Sequence, residues 1–156
     1  MKIAVSACML GRACRYDGRA KPCAQVIALA DRHELVAVCP EAAGGLAIPH
    51  PPSEIVAGAE GLRVVDAQGA DNTAAFVRGA ERTLARVLDA GCDAAVLKAK
   101  SPSCGVRGVY DGSFSGTLVE GMGVAARALH EAGVPVFDEG QLDELERLAQ
   151  KVDGRV

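Results

Sequence analysis

Four short runs of apolar and β-branched residues, KIAVSA at 2–7, ELVAVC at 34–39, DAAVLKA at 93–99 and VPVF at 134–137, alternate along the chain with segments of helical period. No other feature constrains the fold as much. Runs this compact and apolar suit strands covered on both faces, and strands separated by helical stretches are joined by crossovers that make them parallel. The helical segments are 23–33, 73–90, 123–132 and 139–151. In the second, Phe76, Ala80, Leu84 and Val87 recur at three and four, and Asn72 is its expected N-cap. The expectation is an α/β chain with a three-layer, Rossmann-like open parallel sheet and helices on both faces. LRVVD at 62–66 reads as a minor strand. The proline- and glycine-rich stretch 40–61 reads as a long loop, which in so small a domain marks function or disorder.

With 156 residues, 49% of them hydrophobic, the chain can bury one real core, and residues 1–156 are read as a single domain without repeats or linkers. A net charge of -3 gives no global footprint for a nucleic-acid polymer. The opening run MKIAVSACMLG is too short for a signal h-region or a membrane span, so the expected setting is the cytoplasm, without membrane association. Six cysteines in a reducing compartment do not call for disulfides, and their positions must explain them.

Cys8 closes the first strand, Cys39 the second, and Cys104 lies in the turn after the third. All three therefore project from the carboxyl edge of one sheet, where open α/β folds bind ligands. Cys14 shares the loop of Cys8, while Cys23 and Cys92 read as bystanders. Three converging thiols suggest a metal or cluster. Zinc sites usually draw on close C-x-x-C pairs, which are missing here, and iron with sulfide suits widely spaced thiolates equally well. A thiol nucleophile at Cys104, activated by Lys98 or Lys100, is another reading of KAKSPSCG. GMGVAA at 121–126, with Asp138 beyond it, fits a dinucleotide fingerprint, but it stands late in the chain behind the weak run TLVE.

SACMLGRACRYDG, VCPE with GGLAIPHPPSEI, KSPSCG and YDGSFSG resemble, in order and spacing, the thiouracil desulfidase family over about residues 1–137. The resemblance implies a [4Fe-4S] cluster held by Cys8, Cys39 and Cys104, with one iron open to the substrate's sulfur; Cys14 also matches the pattern. It implies a redox-neutral hydrolysis that removes sulfur as hydrosulfide from a thiolated uracil or related small thio-nucleobase or nucleotide. Such chemistry needs a base for the attacking water, and Glu41, two residues after Cys39, is placed to supply it. Ser101, as a catalytic hydroxyl, and Ser103, as a substrate contact, flank Cys104; Ser113 and Phe114 on the YDGSFSG turn are candidates for closing over a flat heterocycle. Arg12, Arg15, Arg19, Lys21, Lys98, Lys100 and Arg107 leave room for an anionic substrate or for a cluster's charge. His50 stands where the family is expected to carry a more basic residue, often arginine. The non-enzymatic alternative is a cluster- or zinc-carrying sensor or sulfur-binding module, in which the thiols matter and Glu41 does not.

Overall fold

A computed structural model of the chain describes residues 1–154. In chain order the elements are β1 (Lys2–Ser6), α1 (Ala24–Ile27), β2 (Glu34–Val38), α2 (Pro40–Ala43), β3 (Ser53–Ile55), β4 (Val64–Asp66), α3 (Thr73–Ala90), β5 (Ala94–Leu97), β6 (Gly108–Tyr110), β7 (Leu118–Glu120), α4 (Val124–Glu131), β8 (Val136–Asp138) and α5 (Leu142–Asp153). The central sheet has the order β2-β1-β5-β8, and each neighbouring pair is parallel. The four apolar runs are thus the four strands of the expected sheet. Alternate residues of β1 and β5 feed opposite faces, as a strand's period of two requires. Ala4, Ala95 and Leu97 meet Val87 of α3 with Ala126 and Leu129 of α4, while Ile3, Val5 and Val96 meet Val26, Leu29 and Leu145. Helices therefore cover both faces, giving three layers. No helix among the described residues is long and apolar enough to cross a membrane.

The order of the strands sets where a site can form. From β1 the chain crosses to β2 on one side and later to β5 on the other, so the loops leaving β1 and β5 part at their carboxyl ends. That reversal opens a crevice at the edge of the sheet.

Several local expectations change. The segment 23–33 is one α-turn, α1, continued by a 3-10 turn at Ala28–Asp31. Asn72 occupies the N-cap of α3 but does not cap it: its amide donates to Ser53 Oγ at 3.3 Å, and the Thr73 N–H goes to Asp71 Oδ1 at 2.9 Å. The minor strand is β4, paired antiparallel with β3 outside the central sheet, so the stretch 40–61 carries α2 and β3. The run TLVE belongs to β7, paired antiparallel with β6 in a third small sheet.

Candidate active site at the carboxyl edge of the sheet

Cys8 lies in the 3-10 turn that follows β1, Cys39 ends β2 as the N-cap of α2, and Cys104 lies in the turn after β5. All three line one cavity of about 630 Å³, as does Cys14. The sheet order explains the convergence, because β2, β1 and β5 are adjacent and end at the same edge. Among the described residues no three His, Cys, Asp or Glu side chains close tightly enough on one point to hold a single metal ion. The thiols surround a space instead, which suits a group of several atoms better than one tetrahedral zinc. Three thiolate donors from three separate elements fit a cluster of iron and sulfide. Cys39 Sγ lies 3.7 Å from the Cys14 carbonyl oxygen. Burial, followed by the neighbouring Cys39, pushes the Cys14 thiol up to about 12. Burial and Cys39 also raise Cys8, against the pull of the Lys98 and Arg15 cations.

The turn carrying Cys104 is held from two sides. Ser101 Oγ accepts the N–H groups of Ser103 at 3.2 Å and Cys104 at 3.1 Å. Its oxygen lies 3.0 Å from Ser103 Oγ, and Ser103 donates to Cys104 Sγ at 3.6 Å. From the other side come the first N–H groups of α4: Val124 donates to Pro102 O, while Ala125 and Ala126 both donate to Ser103 O. The Gly123 N–H donates to Gly105 O, and a Cβ at Gly123 would clash with the backbone of Ser103 and Cys104. The GMGVAA segment is thereby explained, and the dinucleotide reading fails. Its helix start is filled by the cysteine turn, and the strand before it lies in an antiparallel hairpin.

Glu41 sits in the first turn of α2 and lines the cavity. Burial raises its carboxyl above the usual carboxylate range, while His50 and Arg15 act in the opposite direction. The placement of α2 depends on backbone contact with α3, since a Cβ on Gly79 would run into Pro40 O and one on Gly44 into Ala75 O. His50 donates from Nδ1 to Pro51 O at 2.8 Å, and its buried Nε2 has no hydrogen-bond partner among the described residues.

Cys8, Cys14, Cys39, Glu41, Ser101, Ser103 and Cys104 all line the cavity. Ser113 and Phe114 do not. They lie at the tip of the β6–β7 hairpin, where Phe114 is exposed and Ser113 Oγ donates to Asp111 Oδ1 at 2.5 Å. The hairpin is tethered to the site through Glu54, whose Oε1 accepts the N–H groups of Gly112 and Phe114. The aromatic walls of the cavity are Tyr16 and Tyr110. Both belong to the family-like motifs, Tyr16 inside SACMLGRACRYDG and Tyr110 opening YDGSFSG, so their signal in the sequence is one of position. Ser6 was missed as well: a polar residue at the end of an apolar strand is the mark it left.

The cations divide by partner. Arg15, Lys21, Lys98, Lys100 and Arg107 line the cavity, and Arg12 and Arg19 stand away from it. Lys98 Nζ pairs with Glu139 at 2.9 Å, and Arg107 grips Asp138 through two bonds of 2.8 Å. Burial pushes the Cys104 thiol up to about 12, and no lysine opposes it. A free nucleophile needs a lowered thiol, so without a bound cation to draw off its proton Cys104 is a poor attacking group.

A family model described as 2-thiouracil desulfurase matches residues 3–141. The uncharacterized protein YbbK of Bacillus subtilis (strain 168) is 37% identical over 149 residues, covering 92% of this chain and 99% of YbbK. Among solved structures, the [4Fe-4S]-dependent thiouracil desulfidase TudS superposes with a TM-score of 0.83 at 42% identity, covering 97% of this chain and 98% of TudS.

Proposed function

The chain belongs to the 2-thiouracil desulfurase family, and from that premise we propose that it hydrolyses a thiolated uracil or related small thio-nucleobase compound with a [4Fe-4S] cluster held by Cys8, Cys39 and Cys104. The single observation that carries this reading is the convergence of those three thiols with Glu41 on one cavity. Such a cluster, held by three thiolates, supplies an open iron for a soft thiocarbonyl sulfur and draws charge from the C=S bond. The overall change is C=S plus water to C=O plus hydrogen sulfide, with no net electron transfer.

The chain's own residues do the rest. Glu41 takes a proton from the water that attacks the ring carbon, because its carboxyl lies in the same cavity as the thiols and on a helix pinned to α3. Ser101 Oγ uses its lone pairs on two backbone N–H groups, so its hydrogen is available to a substrate heteroatom. Tyr16 and Tyr110 flank the space for a flat ring, and Arg15, Lys21 and Lys100 supply positive charge along its walls.

The test is anaerobic reconstitution followed by assay with 4-thiouracil. The expected outcome is a brown protein with about four irons and four sulfides per chain that releases one hydrosulfide per uracil formed. A colourless, inactive protein after reconstitution overturns the proposal.

A further inference from the structure

Of the three thiols assigned to the cluster, Cys104 is the one that accepts a hydrogen bond from a side-chain hydroxyl. Ser103 is buried and donates to Cys104 Sγ at 3.6 Å. The direction of that bond follows from its neighbour. Ser101 Oγ already accepts two N–H groups and has no lone pair left for Ser103, so Ser103 passes its own hydrogen to the sulfur. A second hydroxyl arrives from another strand. Ser6, the last residue of β1 and also buried, accepts the Lys98 N–H at 2.9 Å. Its hydrogen is thereby left to donate, and Ser6 and Cys104 line the same cavity wall. The other two thiols have different surroundings: Cys39 lies against the Cys14 carbonyl, and Cys8 is flanked by the Lys98 and Arg15 cations.

We propose that Ser6 and Ser103 are positioning residues of the reaction, two hydroxyl donors that withdraw charge from the Cys104 sulfur and so make the cluster it holds a stronger acceptor for the substrate's sulfur. The inference rests on the cluster reading above. A hydrogen bond to a ligating thiolate lowers the charge it gives its iron, and bonds of this kind belong to the outer shell that tunes metal sites. The pattern also accounts for two polar residues in places that an apolar side chain would fill as well. Ser6 closes a strand whose other buried residues are Ile3, Ala4 and Val5, and Ser103 lies beneath the start of α4.

The test uses the anaerobically reconstituted full chain with Ser6→Ala, Ser103→Ala and Ser103→Thr. The alanine variants are expected to keep their iron, move the cluster's reduction potential to more negative values, shift its visible sulfur-to-iron absorption and lower kcat about 10-fold with little change in KM. Ser103→Thr retains a hydroxyl and is expected to restore the potential, the absorption and kcat. Ser6 belongs to a strand and Ser103 to a turn, so each variant tests the proposal on its own if the other loses its iron. Unchanged potential and absorption in an iron-loaded alanine variant overturn the inference and leave the desulfidase reading standing. An unmodified chain that takes up no cluster overturns both.

Discussion

Cys8, Cys39 and Cys104 are expected to behave as a set: replacing any one by serine removes the visible absorption and most of the iron, while Cys23→Ser and Cys92→Ser, which lie outside the cavity, leave both intact. Iron analysis of the five reconstituted variants checks this directly. Glu41→Gln keeps the cluster and is expected to lower kcat by about 100-fold, the usual scale of a lost general base; full activity with a full complement of iron removes Glu41 from that role. The place of these residues on one cavity was legible because thiols and a carboxylate stand at strand ends, where short motifs stand out against apolar neighbours. Ser6, Tyr16 and Tyr110 were not, because their contribution depends on which strand lies beside which. Phe114 misled for a related reason. A lone ring on a glycine-rich turn looks like a lid in one dimension, yet the turn carries it to the hairpin tip, away from the cavity.

Two of the elements are placed by contacts that leave no room for a methyl group. Gly79→Ala drives α3 away from α2, and Gly123→Ala drives α4 away from the Cys104 turn. Each is expected to lower stability by about 1–3 kcal/mol in urea unfolding. Gly123→Ala is also expected to loosen iron binding, since the moved backbone carries Cys104, a ligand in the proposed set. At the other end of the chain, α5 is tied to the turn before β2 through Glu146, which accepts from Arg32 at 2.6 Å and lies 3.4 Å from His33 Nε2. The Arg32 bond holds the Glu146 carboxyl below its ordinary value of 4.5. A carboxylate lowered by folding stabilises the folded state above its unfolded pKa, and that contribution fades as pH falls through the folded value. Glu146→Gln is therefore expected to flatten the stability profile below about pH 4.5, with an effect near neutrality of less than about 1 kcal/mol. The long elements were readable from period and apolarity. The three-residue strands β3, β4, β6 and β7 were not read as two hairpin-like pairs, because so few residues carry no usable alternation and β7 is exposed along its whole length.

On the scale of the molecule, the parallel sheet was legible from four apolar runs, since strands covered by helices on both faces can carry few polar residues. Strand order was not, and it is the order β2-β1-β5-β8 that brings distant cysteines to one edge. The folded chain should gain stability from its cluster in proportion to how tightly it binds. Treating reconstituted protein with an iron chelator is expected to lower the Tm, and the melting curve of Cys104→Ser should not respond to the same treatment. A chain still on the ribosome that has extruded β1 and β2 but not β5 has two of the three thiols and no third wall to close around a cargo. On the proposed ligand set, metallation waits for β5 to join β1, and delivery of iron and sulfide becomes a transaction with a folded receiver, made through the mouth of the cavity.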